Sequence, residues 1–206
     1  MKNSEKESLL STVKPSKAIV ELAIPATLAL LAKAVYNIVD TAYIGMLHSD
    51  IALAALAETE QLADQVIAQV IREGMSQREM AEALYAYVTS TVSYDQRYYS
   101  DRSSMPYESQ TALGALRDGM AICGGYSHAV KRLFEKVGIP CYNVTGKYFS
   151  ENHMWNIALL DGQWLWFDAT SDRGSTGEFG FLRFGLTELD GKKYQWNQNE
   201  VLKLIG

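Results

Sequence analysis

The sequence predicts an α+β protein, and three observations carry that prediction. Between residues 58 and 137, apolar side chains recur at helical spacing in three successive segments. After Pro140 the pattern becomes strand-like, with apolar runs rich in Val, Ile, Tyr and Trp. An Asp161-Gly162 dipeptide then separates two such runs, the turn chemistry of a tight antiparallel hairpin. Helices followed by paired strands, in that order, define the class.

The first helical segment is ETEQLADQVIAQVIREG, where Leu62, Val66, Ile67, Val70 and Ile71 form one face and Gly74 provides the stop. Ser76 and Glu79 then form a capping box that opens a second helix, with Met80, Leu84, Tyr87, Val88 and Val92 on its expected buried face. The polar stretch from Tyr94 to Pro106 reads as a loop. ESQTALGALRDG reads as a short helix ending at Gly119. MAICGGYSHAVKRLFEKVGIP reads as a longer one closed by Gly138 and Pro140. In that longer helix Tyr126, Ala129, Val130, Leu133, Phe134 and Val137 form a stripe.

Cys123 precedes Tyr126 and Val130 by three and seven residues, so it projects from the same face and lies in the first turn. A thiol there sits at the positive end of the helix dipole, which favours the thiolate. Gly124 and Gly125 weaken the first turn, and the expected return is space for a substrate backbone beside the sulfur. Cys141 has no such setting and reads as a buried residue opening the strand CYNVTGKY.

The Asp161-Gly162 turn sets the hairpin register. Leu160 faces Gln163, Leu159 faces Trp164, and the ladder continues to Trp155 opposite Asp168. His153 and Asp168 then share one face as diagonal neighbours, about 7–8 Å apart at Cα and within side-chain reach. A carboxylate so placed would orient an imidazole, which completes a nucleophile, base and orienter set of Cys123, His153 and Asp168. His128, five residues after Cys123, is rotated about 140° around the helix and points away from the thiol.

The composition excludes several classes. The chain has 206 residues and a formal net charge of −5, with no cluster of Lys and Arg, so a nucleic-acid partner is not expected. Two cysteines and three histidines are too few for a disulfide scaffold, and their spacing matches no zinc motif. Neither a metal nor a cofactor is expected.

The N-terminal quarter differs from the rest. Lys2, Lys6, Lys14 and Lys17 precede a mostly apolar run from Ala18 to Met46, long enough for a bilayer span but interrupted by Glu21, Pro25, Lys33 and Asp40. The flank from His48 to Asp64 has no Lys or Arg. If residues 18–46 span a membrane, the positive-inside bias puts the remainder outside the cytoplasm. The expected division is a leader or membrane-anchor helix over 1–57 and a folded domain over 58–206.

Two resemblances add to this reading. LAIPATLALLAKAVYNIVDTAYIG resembles the first transmembrane helix of multidrug and toxin extrusion transporters, over roughly residues 15–56. Those transporters need about a dozen such helices, so this segment implies an anchor or a fusion remnant and not transport. The motifs GMAICGGYSHAVKRLFEKVGIP, HMWN and DGQWLWFDAT, in that order, resemble the transglutaminase-like superfamily over about residues 60–190. That resemblance implies a papain-like core with the cysteine helix packed on an antiparallel sheet. It also implies a thioester intermediate, with Cys123, His153 and Asp168 on the catalytic positions. The superfamily includes protein cross-linkers, peptidases, peptide N-glycanases and inactive binding modules. Its animal cross-linkers are larger and calcium-dependent, and this sequence has no acidic loop of the EF-hand type. Domains this small resemble peptidases or amidases. The backbone N–H of Cys123 is one natural oxyanion donor and Gln110 is a candidate second. Tyr126 and Trp155 are candidate cleft residues, with core packing as the competing role. Three functions are therefore expected in order: a cysteine acyl-transfer enzyme acting on peptide or protein amides, a catalytically silent peptide-binding domain, and a membrane-transporter fragment.

Overall fold

A computed structural model of the chain describes residues 50–206. The hydrophobic helix and membrane association expected of residues 18–46 lie outside the described residues. The chain divides into two units, Met1–Ala54 and Ala55–Gly206, and the candidate site belongs to the second. Among the described residues, no helix is long and apolar enough to cross a membrane.

Helix α1 (Asp50–Val70) turns Ala63 and Val66 into the core, with Leu62, Ile67 and Val70 half-buried beside them. Helix α2 (Gln77–Thr91) starts at the expected capping box. Glu79 N–H donates to Ser76 Oγ at 3.3 Å, and Ser76 N–H donates to Glu79 Oε2 at 2.8 Å. The buried face of α2 differs in part from expectation. Leu84, Val88 and Val92 are buried as expected, but Tyr85 and Thr89 take the deep positions while Met80 and Tyr87 are only half-buried. The reason is tertiary. The Tyr85 ring packs against Phe167, Phe181 and Phe184, and its hydroxyl donates to Asp172 at 2.9 Å. Those partners lie far along the chain.

Two-residue strands β1 (Ser93–Tyr94) and β2 (Met120–Ala121) pair in parallel. The stretch expected to be loop carries the end of β1, a short helix α3 (Arg97–Ser100) and a 3₁₀ turn at Arg102–Ser104. A second 3₁₀ turn (Tyr107–Gln110) and α4 (Ala112–Arg117) follow. Then comes α5 (Cys123–Lys136), whose whole expected stripe is buried except half-exposed Val137.

Strands β3 (Cys141–Tyr148), β4 (Glu151–Leu160), β5 (Gln163–Phe167) and β6 (Tyr194–Trp196) form one antiparallel sheet in the order β5-β4-β3-β6. The β4–β5 hairpin has the expected register, from Leu160 opposite Gln163 to Asn156 opposite Phe167. Its turn residues Asp161 and Gly162 both have positive φ, 52° and 80°, a backbone that Asp tolerates and Gly adopts freely. Strand alternation sends Ala158, Leu160, Leu165 and Phe167 toward α2 and α5. It sends Trp155, Ile157 and Trp166 to the opposite face, which Val201 of α6 (Gln198–Ile205) helps to cover.

Candidate active site

The position of Cys123 is set by its neighbours on both sides. The parallel β1–β2 pair places Asp95 beside the segment before the helix, where Asp95 N–H donates to Ala121 O at 2.9 Å. The buried Asp95 carboxylate takes Arg97 Nε at 2.8 Å and Nη2 at 3.0 Å, and the Ser109 hydroxyl at 2.7 Å. The hydrogen bond from the Arg97 guanidinium, reinforced by Ser109, holds this carboxyl well below the usual carboxylate range. Ser109 O in turn accepts the Ile122 N–H at 2.8 Å, which fixes the residue immediately before the cysteine.

Of the two glycines after Cys123, Gly124 lines the cleft beside the thiol, while Gly125 has a different role from the expected one. A Cβ at Gly125 would lie 2.6 Å from Ala121 Cβ, 2.7 Å from Ser109 O and 2.9 Å from Thr111 O. A Cβ at Gly124 would lie 3.1 Å from Gln110 O. At Gly125 the space is filled by the chain's own atoms, the Ser109 and Thr111 carbonyls among them. The glycines let the 107–111 segment close onto the helix, and that contact places Gln110 near the thiol.

A polar network joins α5 to the sheet. Ser127 Oγ donates to Trp155 O at 3.0 Å, and Asn156 Nδ2 donates to Ser127 O at 3.0 Å and to Asn143 Oδ1 at 2.9 Å. These buried bonds set the height of the helix relative to β4, which carries His153. His153 Nε2 and Asp168 Oδ2 are 2.9 Å apart. Since Nε2 is engaged by the carboxylate, Nδ1 is the ring nitrogen left for Cys123, which shares the cleft with this ring. Burial alone would lower the His153 pKa, but Asp168 and then Cys123 outweigh it and raise it to about 9.

Asp168 is fully buried and heavily supported. Its Oδ2 also accepts the Ser171 hydroxyl at 2.6 Å and the Tyr194 hydroxyl at 2.7 Å, while Oδ1 accepts the Ser171 N–H at 3.2 Å. Burial pushes this carboxyl upward, and the bonds from His153, Ser171 and Tyr194 reverse the effect and hold it low. The aspartate is therefore an ionised, fixed acceptor behind the imidazole.

Cys123 and His153 line the same cleft, which holds about 500 Å³. Its lining includes Tyr98, Arg102 and Gln110 from the segment before α5, and Thr145, Lys147, Asn152 and Met154 from β3 and β4. The volume lies within the usual range for ligand clefts, about 300–1,000 Å³.

The transglutaminase-like superfamily matches residues 64–169, just over half of the chain. This chain belongs to that superfamily. No protein of curated function matches it. Among solved structures, a transglutaminase is 21% identical with a TM-score of 0.48, over 70% of this chain and 36% of its own. A candidate cysteine protease from Cytophaga hutchinsonii is 18% identical with a TM-score of 0.45, over 62% of this chain and 42% of its own. This chain thus spans less than half the length of either structure. The superfamily match begins at residue 64, so the resemblance of residues 15–56 to a transporter helix is not supported.

Within this transglutaminase-like domain the structure brings Cys123, His153 and Asp168 together and puts Gln110 on the same cleft. It does not put Tyr126 or Trp155 there. Both are core aromatics, with 0% and 1% exposure, because each completes packing beneath the site. The Tyr126 hydroxyl donates to Val92 O, which ties α5 to the end of α2. The Trp155 ring stacks on His153, with centroids 5.8 Å apart and planes 25° apart. His128 pairs with Asn143 at 2.9 Å and is not on the cleft. Cys141 is buried, and burial pushes its thiol up. Sequence reasoning missed Asp95, Ser109, Ser171 and Tyr194. Ser171, three residues beyond Asp168, was the one within reach of a local signal, an Asp-x-x-Ser turn.

Proposed function

We propose that this domain is a cysteine-dependent acyl-transfer enzyme acting on peptide or protein amides through a thioester. The observation that carries the proposal is the hydrogen-bonded His153–Asp168 pair sharing one cleft with the thiol at the start of α5. In the proposed reaction the proton given up by Cys123 resides on His153 Nδ1, whose ring is held protonated well above its usual range, and Sγ attacks the amide carbonyl carbon. Asp168, bonded to Nε2, keeps the ring oriented and stabilises the imidazolium. Negative charge develops on the carbonyl oxygen. The Cys123 backbone N–H at the helix start and the Gln110 side chain are the proposed donors to it. The tetrahedral species collapses as the C–N bond breaks and His153 returns the proton to the departing nitrogen. That step releases ammonia or an amine and leaves the thioester. Water then gives a carboxylate, or a second amine gives a new amide, with His153 taking and returning the proton again.

The test uses the full chain with a peptide amide pool and hydroxylamine as acyl acceptor. The expected result is hydroxamate formation and an acyl adduct at Cys123 after acid quench, seen by mass spectrometry. Cys123→Ala should give neither, and a folded His153→Ala should lose at least about 10²–10⁴ in rate. An unchanged rate in His153→Ala, or an adduct at Cys141, would overturn the assignment.

A further inference from the structure

The net charge of the chain is −5, yet the cleft has the opposite sign. No Asp or Glu is among the residues lining it, while Arg102 and Lys147 are. The two cations come from separate segments of the lining. Arg102 belongs to the 3₁₀ turn after α3. Lys147 lies on β3, next to Gly146, whose cross-strand partner is His153. Thr145 and Lys147 alternate with Gly146, so they share the face that carries Cys141 and Asn143, the side on which α5 packs. A substrate lying in the cleft against Cys123 therefore meets a lining that carries both charges.

Both cations are free to bind. Among the described residues neither side chain has an ion pair or a hydrogen bond, although acidic neighbours exist. Asp101, adjacent to Arg102, directs its carboxylate to the Ser103 hydroxyl at 2.6 Å. The Arg102 guanidinium rests over the Tyr98 ring, 4.7 Å from its centroid, and Tyr98 lines the same cleft. That stacking holds the guanidinium in place without using its N–H donors, which remain available for a carboxylate. The start of α5 adds the positive end of a 14-residue helix to the same space. Two unpaired cations on the cleft lining, with no Asp or Glu among the lining residues, attract an anion into the cleft.

We propose that the acyl donor is an anionic peptide, with a carboxylate within a residue or two of the scissile amide held between Arg102 and Lys147. This deepens the proposed acyl-transfer function and rests on it for the reaction, though not for the binding. The carboxylate is either an acidic side chain or a free C-terminus, and both supply the same chemistry.

Four blocked peptides with one common scissile amide separate the cases: a neutral peptide, the same with Glu two positions away, the neutral one with a free C-terminus, and the same with Lys. Two readings are taken on the full chain. One is KM and kcat for hydroxamate formation. The other is protection of Cys123 from iodoacetamide, which needs no turnover. A Glu or free-carboxylate peptide should have a KM lower than the neutral one by about tenfold, with protection at correspondingly lower concentration. The advantage should shrink as salt rises from about 0.05 M to about 0.5 M. Arg102→Ala and Lys147→Ala should each raise KM for the acidic peptide by about three- to tenfold with kcat unchanged, the pattern of lost uniform binding. Arg102→Glu/Lys147→Glu should shift preference to the Lys peptide. Whichever acidic peptide wins identifies the source of the carboxylate. Equal behaviour of neutral and acidic peptides, a preference that survives Arg102→Ala/Lys147→Ala, or no protection by any peptide overturns the proposal. Protection by acidic peptides with no turnover and no adduct overturns the reaction instead and leaves the charge selection standing.

Discussion

Replacing Asp168 by Asn tests the charge state of the site directly. The substitution keeps the size of the side chain and removes its charge. It also places an amide where Oδ2 now accepts from His153 Nε2, Ser171 Oγ and Tyr194 Oη at 2.9, 2.6 and 2.7 Å. An Asn amide cannot face three donors with equal success, because its nitrogen is itself a donor. The sign of the pH dependence follows from His153, whose pKa is raised from 6.5 to about 9. A raised histidine stabilises the fold fully below the unfolded value of 6.5 and loses that contribution as pH climbs through about 9. The interval corresponds to at most about 3 kcal/mol at about 1.36 kcal/mol per pH unit, and Cys123 supplies part of it. Urea unfolding of wild type and Asp168→Asn between about pH 6 and pH 9.5 measures the difference. Wild type should exceed the variant most at the acid end, and the gap should narrow by about 2–3 kcal/mol toward the alkaline end. A gap constant within about 0.5 kcal/mol across that range would refute the ionic pair. Turnover by the variant should fall by roughly 10²- to 10⁴-fold, because the imidazole loses its orienting partner.

Two further outcomes are expected. Cys123, half-exposed at the cleft, should alkylate with iodoacetamide well before Cys141, which is 1% exposed and whose thiol burial pushes up. Mass spectrometry of timed samples reads this, and equal rates or a faster Cys141 would count against Cys123 as the nucleophile. Gly125→Ala should destabilise the domain, because its Cβ would sit 2.6–2.9 Å from Ala121 Cβ and the Ser109 and Thr111 carbonyl oxygens. Overpacking of about 1–3 kcal/mol outweighs the better helix propensity of Ala, so a melting temperature lower by about 2–8 °C is expected. An unchanged or higher value would show that the contact yields.

What the sequence determined alone is local or periodic. The Ser76–Glu79 box is closed within four residues, and the stripe from Tyr126 to Phe134 follows from helical spacing. The Asp161-Gly162 turn set the register of β4 against β5, and with it the shared face of His153 and Asp168, because strand side chains alternate with period two. What only the tertiary structure decided involves residues distant in the chain. Tyr194 reaches Asp168 from 26 residues away, and Ser109 reaches Asp95 from 14. Neither has a spacing rule, because side-chain hydrogen bonds across elements depend on how those elements dock. The same docking turned Gly125 from expected room for substrate into a contact between backbones, and sent Tyr126 and Trp155 into the core instead of the cleft. An aromatic at helix or strand spacing shows which face is apolar, and only the packing of a second layer determines whether that face is covered or open. Arg102 and Lys147 belong to the same category. They are 45 positions apart in the chain, and the fold brings both to the lining of one cleft.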